Sequence, residues 1–239
     1  MIRSGPLTAV IWDYDGTLVD TRAKNWGITR MIVERFTGVD PDSIEALSSL
    51  EAYTRALYRN DHWRNLYTGE FGMSEDLTVQ AGLLWSEYQL ADQSPAKVYD
   101  GIETCLRELG TTPLGIVSMN SRANILGTLE ERGLLGYFRS VIGYEEVDAA
   151  RQKPAPDGLL RCVAELTGMA PGRVVYVGDH QVDIECVRNA NAVLADEGHD
   201  ITVFAIGAAY GIGAEFGAWP DAPDFTIAAP LELLDIVRG

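Results

Sequence analysis

The chain has 239 residues, 46 % of them hydrophobic and 23 % charged, which is typical of one large globular domain or of a domain with an inserted module. Its 35 acidic residues outnumber 19 basic ones, giving a formal net charge of −16, and this excess disfavours nucleic acids and anionic membrane surfaces as partners. No apolar run is long enough to span a bilayer, and three widely spaced cysteines indicate neither a zinc site nor a disulfide framework. We therefore expect a cytoplasmic protein.

After a short lead-in at residues 1–6, the first predicted element is a buried strand at residues 9–12, rich in β-branched and aromatic side chains. Asp13 and Asp15 follow it directly. Two carboxylates this close together are costly to bury unless they meet a cation or a proton. Gly16 lets the backbone turn sharply and approach a ligand. Taken alone, this loop could also be a solvated acidic turn.

An all-helical insert is predicted over residues 20–94, between core segments 1–19 and 95–239. Apolar spacing predicts its helices over 21–36, 43–58 and 74–90. Between the last two, Trp63 and Tyr67 are expected to pack between the insert and the core. Arg64 or His62 could instead meet an anionic substrate.

Beyond the insert, strands alternate with helices. The predicted strands are at residues 113–117, 141–142, 173–177, 203–206 and 225–227, and the predicted helices begin near residue 100 and cover 121–132, 156–166, 184–190 and 230–237. A glycine- and alanine-rich stretch at 207–217 is predicted to be a loop. Such alternation predicts an α/β fold, a Rossmann-like parallel sheet with right-handed crossovers.

Three further groups of polar residues follow apolar runs of this core, at the strand ends where an open α/β sheet carries its active site. Ser118 can donate a hydroxyl hydrogen bond to a phosphate oxygen, and Asn120 is either a second donor or the cap of the next helix. Lys153, which Pro154 and Pro156 follow, can neutralise an anion, and Arg151 is a nearby alternative. Gly178 and Asp179 end the most strongly predicted strand, at residues 173–177, and Asp183 follows four residues after Asp179.

These segments resemble the haloacid dehalogenase (HAD) superfamily, in its phosphoglycolate phosphatase and β-phosphoglucomutase branch. The most specific pieces are DYDGTLVD at 13–20, KPAPD at 153–157 and VGDHQVDIECVRNA at 177–190. The resemblance implies a parallel-sheet core with a helical cap over the active site. It also implies Mg²⁺-dependent hydrolysis of a phosphomonoester through an aspartyl-phosphate.

Carried over residue by residue, the resemblance gives each motif a role. Asp13 is the candidate nucleophile, and Asp15 is the acid/base that protonates the leaving oxygen and then activates water. Mg²⁺ suits an all-oxygen site. The expected metal ligands are Asp13, the backbone carbonyl of Asp15, Asp179 and, directly or through water, Asp183. The expected phosphate-binding residues are Gly16, Ser118, Asn120 and Lys153.

Some alternatives stay open. Asp179 and Asp183 could instead cap the helix that follows them. A phosphosugar mutase of the same fold would share the acidic loop and the three further polar groups. A non-catalytic HAD-like binding protein would keep only the fold. The favoured function is hydrolysis of a small phosphorylated metabolite by a monomer or homodimer, without nucleic-acid or membrane partners.

Overall fold

The computed structural model describes residues 5–60, 62–92, 94, 96–211 and 219–238. The chain divides into two compact units: Met1–Asp20 with Val98–Gly239, and Thr21–Lys97. The first unit is therefore discontinuous in sequence, and the second is inserted after Asp20. Of the predicted lead-in and the predicted loop at 207–217, residues 1–4 and 212–217 lie outside the described residues.

The first unit is built on a six-stranded sheet in the order β5-β4-β1-β6-β7-β8. Its strands are β1 Leu7–Trp12, β4 Leu114–Val117, β5 Phe138–Ile142, β6 Gly172–Gly178, β7 Ile201–Ala208 and β8 Phe225–Ile227. Each neighbouring pair in the sheet is parallel. Two short strands, β2 Val19–Asp20 and β3 Lys97–Val98, form a separate two-stranded sheet. The predicted α/β fold with a Rossmann-like parallel sheet is confirmed.

This sheet is buried on both faces. Ala9 and Ile11 of β1 share one apolar cluster with residues of α7 Asp157–Thr167 and α8 Gln181–Asp196. The alternate residues Val10 and Trp12 point to the other face, and they are fully buried as well. This is why the central strands read as continuous apolar runs. The other helices of this unit are α5 Ile102–Glu108, α6 Arg122–Glu131 and α9 Glu232–Arg238.

The second unit is helical and has a core of its own. It contains α1 Arg22–Thr37, α2 Leu50–Arg59, α3 Trp63–Asn65, a π-helical turn Leu66–Glu70 and α4 Glu75–Ala91. Its core cluster includes Ile28, Ile32 and Leu47. Tyr67 belongs to the same cluster, and the ring of Trp63 meets it edge-on at 5.7 Å. Trp63 and Tyr67 therefore pack against each other within the helical unit, and their predicted packing between the insert and the core stays a prediction.

The prediction of one helix over residues 43–58 is wrong at its start. The chain forms two 3₁₀ turns, Pro41–Ser43 and Glu45–Leu47, before α2 begins. Ser49 has an extended backbone, and its Oγ accepts the N–H of Ala52 at 3.1 Å. A capping hydroxyl at this position starts the helix there rather than seven residues earlier. None of the helices in the described ranges is long and apolar enough to cross a membrane.

Candidate active site

The acidic loop leaves the sheet at the end of β1 and folds back against the end of β6. The N–H of Asp13 donates to the carbonyl of Val177 at 2.8 Å, and the N–H of Gly16 then closes a turn on the carbonyl of Val19 at 2.9 Å. Gly16 has φ 76°, and a Cβ there would collide with the carboxylate of Asp179. Only glycine combines this backbone conformation with so close an approach. The loop thereby brings Asp13 and Asp179 to one place.

Lys153 joins the acidic loop to the start of α8. Its ammonium donates to Asp13 Oδ1 at 2.7 Å and to Asp183 Oδ1 at 2.6 Å. The side chains of Lys153, Asp13 and Asp183 are only 5 %, 9 % and 1 % exposed, so little water screens these ion pairs. Arg151, the alternative cation, is exposed and pairs with Asp157. Of the two candidate cations, Lys153 is therefore the one that contacts the acidic loop.

The site has more negative than positive charge. Burial raises the pKa of Asp13 well above its usual value; Lys153 opposes this rise, and Asp183, Asp179 and Asp15 add to it. Burial by itself would lower the pKa of Lys153, but Asp13 and Asp183 raise it above its usual range. Lys153 is therefore charged, and this one ammonium faces several carboxylates.

The two aspartates at the end of β6 have different partners. Asp179 is buried, and its Oδ1 accepts the hydroxyl of Thr17 at 2.8 Å. Asp183 Oδ2 accepts the backbone N–H of His180 at 3.1 Å, as part of a reciprocal cap on α8. Capping, left open for both residues by the sequence, thus occurs at Asp183. Asp13, Asp179 and Asp183 each offer an oxygen within 4.8 Å of the others, a group that could hold a metal ion.

Asp15 is held by an amide chain, Asp15–Asn120–Asn124. Nδ2 of Asn120 donates to both carboxylate oxygens of Asp15, at 3.1 and 2.9 Å. Oδ1 of Asn120 in turn accepts from Asn124 Nδ2 at 3.1 Å. Asn120 therefore orients Asp15, while Ser121 is the residue whose hydroxyl caps α6.

Ser118 lies at the end of β4, beside this amide chain. Its N–H donates to the carbonyl of Ile142 at 3.0 Å, which continues the pairing of β4 with β5. Its Oγ accepts the N–H of Asn120 at 3.2 Å, so the hydroxyl proton is still available to a ligand. The predicted site residues thus lie within one unit, just after the carboxyl ends of β1, β4 and β6, with Lys153 in the connection between β5 and α7 and Asp183 in the first turn of α8.

Three residues of this arrangement are missing from the predicted set. They are Thr17, whose hydroxyl holds Asp179; Asn124, which ends the amide chain; and Tyr176, whose hydroxyl lies 3.1 Å from Lys153 Nζ. Tyr176 carries the clearest signal in the sequence, because its hydroxyl stands inside the apolar run of β6. A buried tyrosine hydroxyl needs a partner, but the sequence does not show which.

Comparison with known proteins agrees with this geometry. Residues 10–195 match the family model of the haloacid dehalogenase-like hydrolases. A phosphoglycolate phosphatase of Synechococcus elongatus is 28 % identical over 236 residues, 97 % of either chain. A pyrophosphatase PpaX of Listeria innocua is 26 % identical over 238 residues, 98 % of either chain.

Solved structures show the same fold. The crystal structure of a HAD-superfamily hydrolase of subfamily IA, variant 1, from Geobacter sulfurreducens superposes with a TM-score of 0.62 at 22 % identity, covering 98 % of each chain. The resemblance carried by the three motifs is therefore confirmed. This chain is a hydrolase and belongs to the haloacid dehalogenase-like family.

Proposed function

We propose that this hydrolase is a phosphatase of small phosphorylated metabolites, with Asp13 as nucleophile and Asp15 as general acid and base. The observation that carries the proposal is the pairing of Asp13 with Lys153 at 2.7 Å, next to a second carboxylate that an amide holds in place. A nucleophilic and a proton-transferring carboxylate are what a two-step phosphoryl transfer requires. The names of the full-length relatives, a phosphatase and a pyrophosphatase, support phosphate as the group transferred.

The residues at this site fit a divalent metal. Asp13, Asp179 and Asp183 offer oxygen atoms within 4.8 Å of one another, and hard cations such as Mg²⁺ take oxygen ligands. We assign the metal to Asp13, Asp179 and the backbone carbonyl of Asp15. Asp183 already binds Lys153 and the N–H of His180, and we propose that it contacts the metal either directly or through a water molecule. When bound, Mg²⁺ would offset the negative charge of the carboxylates and of the phosphoryl oxygens.

The first half of the proposed reaction forms a phosphoenzyme. Lys153 binds Asp13 Oδ1, which leaves Oδ2 to attack phosphorus. As the Oδ2–P bond forms, the bond from phosphorus to the ester oxygen breaks, and the proton of Asp15 passes to that oxygen. The Ser118 hydroxyl donates to a phosphoryl oxygen. Lys153 and Asn120 keep the two carboxylates oriented throughout this step.

The second half returns the site to its starting state. Asp15, now ionised, takes a proton from a water molecule, and the water oxygen attacks phosphorus. The P–Oδ2 bond breaks, inorganic phosphate leaves, and Asp13 is again a carboxylate. Asp15 has regained the proton that it gave to the leaving group, so protons balance over the cycle.

Phosphate release from a panel of phosphorylated metabolites, with Mg²⁺ and with chelator, tests this proposal. The panel should include 2-phosphoglycolate, pyrophosphate and a hexose 1-phosphate. We expect release with Mg²⁺ and an acid-stable, hydroxylamine-sensitive phosphoenzyme that Asp13→Asn lacks. No release from any compound would favour a binding protein, and an isomerised sugar phosphate would favour a mutase.

The location and assembly of the chain stay predictions. Cys105, Cys162 and Cys186 are buried free thiols, which is what a reducing cytoplasm favours. Light scattering would distinguish a monomer of 26.1 kDa from a homodimer.

A further inference from the structure

We propose that Tyr176 is a positioning residue that fixes the ammonium of Lys153 against the nucleophile Asp13. Tyr176 lies on β6 and is completely buried. Its hydroxyl is 3.1 Å from Lys153 Nζ, 3.1 Å from Asp183 Oδ1 and 3.0 Å from the carbonyl oxygen of Val117. The effect on turnover rests on the proposed function, whereas the effect on the ammonium does not.

The ammonium of Lys153 uses all its protons inside the protein. A lysine has three N–H donors. In this structure they meet Asp13 Oδ1 at 2.7 Å, Asp183 Oδ1 at 2.6 Å and the Tyr176 hydroxyl at 3.1 Å. Three fixed acceptors set the rotation of the ammonium as well as its position. Lys153 therefore acts mainly on Asp13, and a substrate oxygen would have to displace Tyr176, the one uncharged acceptor.

The hydroxyl proton of Tyr176 links this ammonium to β4, which lies beyond β1 in the sheet. Since Asp183 Oδ1 already accepts from Lys153, the better acceptor for that proton is the carbonyl of Val117. Val117 ends β4 and precedes Ser118. One phenol therefore ties together β6, the Lys153 loop and the strand end that carries Ser118. Phenylalanine would fill the same space but leave a buried N–H and a buried carbonyl without this partner.

Nuclear magnetic resonance of the lysine side chains tests the inference without substrate or metal. Lys24, Lys97 and Lys153 are the three lysines of the chain, so protein labelled with side-chain ¹⁵N gives few signals. Lys153→Arg assigns the signal of Lys153. We expect a protected ammonium signal for Lys153 that shifts and broadens in Tyr176→Phe. An unchanged signal in Tyr176→Phe, or no protected signal in the unmodified protein, overturns the inference.

Steady-state kinetics gives a second readout. We expect Tyr176→Phe to lower kcat about tenfold, as for one hydrogen bond to a charged group, and to change KM less than about twofold. Tyr53→Phe is the matched control, because it removes a buried hydroxyl 3.3 Å from Thr29 in the helical unit. Equal kcat in the two variants contradicts the positioning role. If the unmodified protein releases no phosphate, the proposed function fails, and the ammonium signal alone decides the inference.

Discussion

The carboxylate of Asp15 is fixed by an amide, while that of Asp13 is fixed by a cation. This difference suits the two roles proposed for them. The ammonium of Lys153 opposes the rise that burial causes in the pKa of Asp13, and so favours the ionised form that attacks phosphorus. The amide of Asn120 is neutral, so it orients Asp15 without placing a charge beside it.

The amide chain yields the first prediction. We expect Asn120→Ala to lower kcat about tenfold, because Asp15 loses the donor that contacts both its oxygens. The matched control is Asn191→Ala, since the amide of Asn191 is also hydrogen-bonded, to the N–H and the carbonyl of Val203. That variant should lose stability and keep its kcat. Thermal melting and phosphate release measure the two effects, and a full kcat in Asn120→Ala would contradict the orienting role.

Gly16 yields the second prediction. Alanine there meets both a left-handed backbone and the carboxylate of Asp179. We expect Gly16→Ala to reduce kcat/KM by at least about 100-fold, the usual effect of a misplaced catalytic loop. Both Gly16→Ala and Gly38→Ala should lose about 1–2 kcal/mol of stability from the backbone alone.

Gly38→Ala is the control for this change, because Gly38 has φ 67° at the end of α1 but nothing within 4 Å of an added Cβ. Unfolding in urea measures the cost of the left-handed backbone in both variants. Phosphate-release kinetics measures the loss of activity caused by the collision with Asp179. Comparable activity in the two alanine variants would show that the contact with Asp179 does not matter.

At the scale of elements, the start of α2 is set by one hydroxyl. We expect Ser49→Ala to lose about 1 kcal/mol of stability, because the N–H of Ala52 loses its acceptor. Ser48→Ala is the control: its exposed hydroxyl donates to the carbonyl of Glu45, and its loss should cost less than about 0.5 kcal/mol. Urea unfolding measures both values. Equal losses would mean that packing, and not the cap, fixes this boundary.

The strands of the core were predictable because burial on both faces leaves a readable pattern. The apolar runs before Asp13, Ser118 and Asp179 are β1, β4 and β6, and parallel strands bring their carboxyl ends to one edge of the sheet. The order of motifs along the chain was therefore enough to indicate which residues converge. The start of α2 was not, because Ser43 and Ser49 are equally good caps on sequence alone.

Side-chain pairings were the least predictable feature. Asn120 and Asp15 are 105 residues apart in the chain, and only the adjacency of β4 and β1 makes them partners. Tyr176 reaches Lys153 because it lies near the end of β6 on the same face as Ala9 and Ile11. Strand periodicity does not fix this choice of face when both faces are apolar. The sequence shows that a tyrosine lies in an apolar strand and that its hydroxyl needs a partner, but it does not show which atom is that partner.

At the scale of the whole molecule, the net charge of −16 opposes folding through self-repulsion. This repulsion is strongest where carboxylates are buried together, at Asp13, Asp179 and Asp183. Monovalent salt screens exposed charges but reaches buried ones poorly. A divalent cation bound at the site should therefore stabilise the fold more than its ionic strength explains.

This yields the last prediction. We expect MgCl₂ to raise Tm above the value in KCl of equal ionic strength, because an ion that binds only the folded state stabilises it by about 2.7 kcal/mol at a hundredfold excess over Kd. In Asp179→Asn the surplus over KCl should disappear, while the response to KCl should remain. The control is Asp224→Asn, which removes an acidic group paired with Arg188 away from the metal cluster and should keep the surplus. A surplus that survives in Asp179→Asn would place the bound ion elsewhere, because the buried carboxylate beside Thr17 is one of the oxygen donors on which the metal assignment depends.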